Sequence, residues 1–216
     1  HTEERIRSFF VGLINPEDRK HYDDIQSFRD RVISVKIPYV LDYHIECKIL
    51  KHKFGEEIEN RFLPRVLSNF AKIIISTRLE KESYVLDNWL KNKDRYKKYI
   101  DKNLLLLKME LYSGRIPSWL APDDVKSFTR PVRKDIISET EQEGKGGISG
   151  RVALNVFNDF IARYEEEPYI TMEHVTEFFE NYDAVADMIP EGFMHSLNRL
   201  YEYDVLQRIK ECIFYY

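Results

Sequence analysis

The segment Gly144-Lys-Gly-Gly-Ile-Ser-Gly-Arg151 runs directly into an apolar-periodic run from Val152 to Tyr164. Four of the chain's eight glycines fall in these eight residues, so this stretch reads as a loop that opens a helix. Ser149 suits the N-cap, because its hydroxyl can accept from the first free backbone amides. Val152, Val156, Phe157, Phe160, Ile161 and Tyr164 then share one helical face. Arg151 falls in the first turn, where a positive charge opposes the helix dipole. An arginine there suits an anion, and the plain alternative is a solvated side chain.

The same glycines do not make a phosphate loop. A P-loop needs G-x-x-x-x-G-K-[ST], so that backbone amides wrap the phosphates and a hydroxyl holds magnesium. Lys145 follows Gly144, but Glu139 stands at the first glycine position and Gly146 at the hydroxyl position. G-x-G-x-x-G fails as well, since Ser149 takes the third glycine position. The chain as given has no recognisable triphosphate cradle of its own.

With 216 residues, 43% of them hydrophobic and 13% aromatic, the chain has ample material for a buried core. A net charge of −4 argues against a general nucleic-acid binder. Lys91, Lys93, Arg95, Lys97, Lys98 and Lys102, interleaved with Tyr96 and Tyr99, could touch phosphates and stack bases, but read better as the solvated face of a connecting helix. Neither a membrane-spanning run nor the basic, apolar and small-residue order of a signal peptide is found. Cys47 and Cys212 cannot build a disulfide framework; both lie in apolar helical contexts that suggest buried packing, and a cytoplasmic setting is expected.

Taken in order, residues Glu3 to Ile14 have helical spacing, stopped by Asn15-Pro16. Val32-Ile-Ser-Val-Lys-Ile37, closed by Pro38, is the best strand candidate, one isolated or edge strand whose sheet partners would lie upstream. Helices are predicted over Tyr39 to Phe54 with Gly55 as the stop, over about Glu57 to Leu79, around Val85 to Leu90, and over Leu104 to Tyr112 in the core. Pro122 to Glu143 reads as one or two polar helices ending in a mobile acidic and glycine-rich linker. Thr171 caps a further helix, and Phe193 to Tyr216 reads as an amphipathic pair. The uncapped Ile213-Phe-Tyr-Tyr216 ending suggests a cut chain. The expected fold is thus mainly α, a helical bundle with one N-terminal strand.

No catalytic motif presents itself. His44, Cys47 and His52 lie on one predicted helix, which does not complete a metal site. Asp101-Lys-Asn103 has phosphotransfer residue types at the wrong spacing and reads as a surface helix cap.

One resemblance covers the chain from Phe28 to the C-terminus. Phe28-Arg-Asp-Arg-Val32, Lys36-Ile-Pro-Tyr-Val-Leu-Asp42, Phe62-Leu-Pro-Arg-Val-Leu67, Ile74-Ile-Ser-Thr-Arg-Leu79, Leu106-Leu-Lys-Met-Glu110, Ile148-Ser-Gly-Arg151 and Leu200-Tyr-Glu-Tyr-Asp-Val-Leu-Gln207 together resemble the PrkA serine protein kinases. The resemblance implies a C-terminal fragment of an ATP-dependent serine/threonine protein kinase. Residues 1-38 would end an AAA+ ATPase core, with the strand as the remnant of its sheet, and 39-216 would form the helical lid and PrkA C-terminal domain. Arg31 would match the trans arginine finger, the one candidate catalytic residue. Arg151, with Ser149 and Gly150, would match the lid's nucleotide sensor. ATP and Mg would bind the full-length parent and not this fragment, and no resident metal is implied. The partners implied are a protein substrate and other copies in a homo-oligomer, without nucleic acid or membrane. A free-standing helical interaction module, or the lid of a Lon-like protease or AAA+ remodeller, are the alternatives.

Overall fold

The computed structural model describes residues 11–13 and 33–214. The chain divides into two compact units, His1–Ile37 and Pro38–Tyr216. Of the first, residues 33–37 carry no regular secondary structure, and Ile33, Val35 and Ile37 are exposed. The β-branched run therefore pairs with no strand among the described residues, while the expected helix at Glu3 to Ile14 falls almost wholly outside them.

The second unit is helical, as the periodicity implied. Helix α1 (Tyr43–Phe54) starts four residues later than predicted, because the Asp42 carboxylate accepts from the His44 amide at 2.8 Å and caps it. Gly55, at φ 97°, ends it. The predicted helix from Glu57 to Leu79 is two elements, a 3-10 helix (Glu56–Arg61) and α2 (Val66–Ser76). Pro64 disfavours helix at Leu63, Arg65 turns left-handed at φ 69°, and an isolated parallel bridge joins Phe62 to Ile170. Next come α3 (Tyr84–Trp89), a short 3-10 turn (Lys93–Tyr96), α4 (Leu105–Tyr112), α5 (Pro122–Ser127) and α6 (Arg130–Thr140). Helices α7 (Gly150–Arg163), α8 (Met172–Glu180), α9 (Asp183–Ala186) and α10 (Phe193–Phe214) complete the order.

Two cores hold these elements. In the larger, the Phe157 ring of α7 lies 5.1 Å from Phe70 and 4.9 Å from Phe54, both edge-on, and Phe160 meets Phe178 edge-on at 5.1 Å. Edge-to-face geometry suits the ring quadrupole, and each fully buried ring contributes roughly 1.5–3 kcal/mol by leaving water. The smaller core joins Leu86, Trp89, Leu90, Tyr96, Leu107 and Ile136. Helix α4 serves both, since Leu105, Leu106 and Met109 face the first and Leu107 the second, which bears out its expected central place.

Helix α10 is one 22-residue helix and not a pair. Its apolar residues change sides. Phe193 and Leu197 are buried in the core, whereas Leu206, Ile209 and Ile213 are exposed. Leu206 lies nine residues, about two and a half turns, beyond Leu197, so it faces the opposite way. That switch imitates a break in the sequence pattern. No helix among the described residues is long and apolar enough to cross a membrane.

Candidate functional site

The N-terminal end of α7 is built into a junction of three chain segments. The turn after α2, Thr77-Arg78, meets the glycine loop that leads into α7, and both meet Tyr39 and Val40, where the chain enters the second unit. The Tyr39 amide donates to the Gly144 carbonyl at 2.9 Å and the Gly144 amide to the Arg78 carbonyl at 3.0 Å. Two of the glycines are required by this approach. Gly147 sits at φ +85° with space for a Cβ only 2.1 Å from the Thr77 carbonyl oxygen, and Gly144 at φ +66° with one 2.9 Å from the Tyr39 oxygen. The loop is packed, which corrects the expectation of a mobile linker.

Buried charge holds the junction. Arg78 is 3% exposed, and its guanidinium donates from Nε to the Ile148 carbonyl at 2.7 Å and from Nη1 to the Val40 carbonyl at 2.9 Å. It also grips both Glu46 oxygens, at 2.8 and 3.1 Å. The planar fork suits this many acceptors in a way that a lysine ammonium does not. Beside it, the fully buried Lys108 donates to Glu143 at 2.8 Å and to the Glu80 carbonyl at 2.7 Å. Glu143 also accepts from the Glu80 amide and the Tyr112 hydroxyl. Burial first, and Glu143 second, push the Tyr112 hydroxyl well above its ordinary value. The acidic end of the predicted linker is thus an internal counter-ion, and Glu139 likewise accepts from Ser83 and the Val85 amide.

A third pair flanks the junction. Lys72 and the Tyr43 hydroxyl both donate to Glu110 Oε1 at 2.9 Å. Burial would raise the Glu110 carboxyl, but the Lys72 charge, both hydrogen bonds and Arg115 outweigh it and hold the group below the usual range.

Residues 106–216, just over half of the chain, match the family model of the PrkA serine protein kinase C-terminal domain. The chain belongs to the PrkA family. Comparison with curated proteins and with solved structures found no match.

The PrkA match begins inside α4, yet the fold does not divide there. The aromatic core pairs Phe70 with Phe157 and Phe160, and the junction pairs Arg78 with Ile148 across 70 residues. Residues from Pro38 onward therefore close the PrkA domain's core.

The expected sensor residues sit together at the start of α7. The Ser149 hydroxyl accepts from the Val152 amide at 3.3 Å, so the predicted N-cap is present. Gly150 and Arg151 are exposed in the first turn, and no ion pair involving Arg151 is found among the described residues. This turn can meet an anion with exposed backbone amides and one guanidinium; it carries no nucleophile and base pair. Arg31 lies outside the described residues.

Other candidates resolve into packing. His44 and Cys47 line a cavity of about 260 Å³ with Lys48, Lys51 and Ser68, but no group of three metal-capable side chains occurs among the described residues. Burial pushes the Cys47 thiol up to about 12, so it stays protonated and unreactive. Cys212 is exposed, against the buried role expected of it. Leu104 holds the N-cap position of α4, and Asp101 accepts from the first-turn amide of Leu106 at 2.8 Å, but from a buried site and not the expected surface. Tyr96 is buried in the smaller core and Tyr99 stacks on Trp119, so neither ring is a free base platform. Around them Lys91, Lys97, Lys98 and Lys102 are exposed and Lys93 is half-buried; Lys93 alone lies on the 3-10 turn, and none of the five lies on an α-helix.

Sequence reasoning missed Arg78, Glu46, Lys108 and Glu143. A signal existed for one of them, because a lysine inside the apolar run Leu104 to Met109 must find a buried partner.

Proposed function

We propose that this chain is the lid and C-terminal domain of a PrkA-type, ATP-dependent serine/threonine protein kinase with an AAA+ module. In this reading Arg151 contacts the phosphates of nucleotide bound by the parent's own P-loop, beside the first-turn amides of α7 that follow the Ser149 cap. The observation that carries it is the exposed Arg151 on a turn that the buried junction holds in place, within a chain of the PrkA family. Arg31 acts as a finger reaching the nucleotide of a neighbouring subunit, and the remaining helical surface meets a protein substrate. ATP and Mg are held by the parent's ATPase core.

Subunit mixing in the full-length parent tests the reading. Arg31→Ala subunits mixed with P-loop-dead subunits should recover part of the ATP turnover, because a mixed interface pairs an intact finger with an intact pocket. Arg151→Ala mixed with the same P-loop-dead subunits should recover none, since both defects fall in the pocket-bearing subunit. Loss of a finger costs on the order of a thousandfold in rate, so rescue is easy to detect. Equal rescue by both variants would remove Arg151 from the pocket. Partner unfolding or cleavage in place of new phosphoserine would point to a remodeller or protease.

A further inference from the structure

Arg78 touches the two segments whose relation decides where Arg151 points. One edge of its guanidinium donates to the Ile148 carbonyl, one residue before the Ser149 cap. Another donates to the Val40 carbonyl, in the segment by which the chain enters the unit, and the group lies over the Tyr39 ring at 5.8 Å. The Ile148 amide is held in turn by the Thr77 hydroxyl at 3.0 Å, so both polar groups of Ile148 are bound to adjacent residues of one turn. Glu46 neutralises the buried cation but touches neither segment through it. Fold stability alone asks only for the charge to be paired; the two carbonyls are an additional geometric demand.

We propose that Arg78 is a positioning residue, whose guanidinium locks the first turn of α7, and with it Arg151, to the entry segment Tyr39–Val40. The functional half of this inference rests on the reading of Arg151 as a nucleotide contact, whereas the mechanical half does not. The Glu46 carboxylate balances the buried charge. The carbonyl contacts do the positioning.

Amide hydrogen exchange on the 216-residue chain separates these roles. Arg78→Lys keeps a cation near Glu46 but loses the fork. It should speed exchange at Tyr39 and at Ile148 to Val152 by about fivefold or more, the loss of one or two charge-assisted hydrogen bonds, with Val175 to Phe179 in α8 unchanged. Glu46→Gln keeps the fork on both carbonyls and should leave Ile148 to Val152 near the wild-type rate. If Arg78→Lys fails to fold, the apolar pair Arg78→Met with Glu46→Leu removes the buried charges together and should give the same local acceleration. Wild-type rates at Ile148 to Val152 in the variant that folds, a uniform rise across all helices, or an equal rise in Glu46→Gln would each overturn the proposal.

In the parent, Arg78→Lys should raise the KM for ATP about fivefold with kcat changed less than about twofold, as expected when a binding group is displaced and not removed from the chemistry. If Arg151→Ala raises KM and Arg78→Lys does not, the positioning claim fails and the nucleotide reading stands. If neither raises KM, the nucleotide reading fails and the exchange rates alone decide whether Arg78 positions the turn.

Discussion

Each end of α7 is held by an arginine from the preceding layer, and the two are held at different cost. At the C-terminal end, Arg61 Nη2 donates to the carbonyls of Tyr164, Glu165 and Glu167 at 2.7, 3.0 and 3.2 Å. Arg61 is half-buried, so water completes its hydration, and its charge opposes no dipole because the negative end of the helix faces it. At the N-terminal end, Arg78 is buried, and carbonyls alone cannot replace the water it has lost. A full carboxylate, Glu46, is buried with it. The same chemical task therefore needs one side chain at a wet end and an ion pair at a dry one, and the dry end is the one that presents Arg151.

The sharpest break in this comparison is Arg78→Ala, which leaves Glu46 buried without a partner. It should cost about 3–5 kcal/mol in a denaturant titration, where removing both partners as Arg78→Met with Glu46→Leu should cost much less. Equal losses in the single and double variants would mean that the buried charge itself is cheap.

Arg61→Ala is the matched test at the other end and should cost about 1–2 kcal/mol, because water can hydrate the released carbonyls. A loss as large as that of Arg78→Ala would erase the distinction between wet and dry ends. Removing the Ser149 hydroxyl as Ser149→Ala is milder still, at about 1 kcal/mol, and should leave the amides near Glu165 with their wild-type exchange rates.

How much of this could be seen in the sequence differs between the two cores and the junction. Helix α7, its Ser149 cap and the burial of Val156, Phe157, Phe160 and Tyr164 follow from local spacing, because side chains on one helical face are neighbours in sequence as well as in space. The same spacing puts Val152 on that face, yet it is exposed, since the buried stripe passes through Ala153 instead. Pro64 is a helix-breaking residue type, but the apolar period continues on both sides of it and hides the break. The junction was not visible at all. Glu143 beside glycine has the composition of a linker, and only the fold brings Lys108 to it from 35 residues away. Positive φ at Gly144 and Gly147 could be allowed for, but not the backbone that presses on them.

The smallest expected effect is on the acid side and concerns α1, which supplies Glu46 to the dry end. Burial first, and Arg115 second, lower the His44 imidazole below its ordinary 6.5, against the opposing charges of Asp42 and Glu110. The folded state therefore takes up a proton at His44 less readily than the unfolded chain does. The corresponding stability is complete above 6.5 and declines as pH falls from there to the lowered folded value, after which it is flat. Glu110, whose folded pKa is also lowered, contributes above its ordinary 4.5 and loses that contribution as pH falls through its folded value, so its step comes at lower pH. Thermal unfolding midpoints followed downward in pH should show the two declines in that order, and His44→Gln should flatten the upper one alone. A His44→Gln profile identical to the wild type would remove His44 from the account.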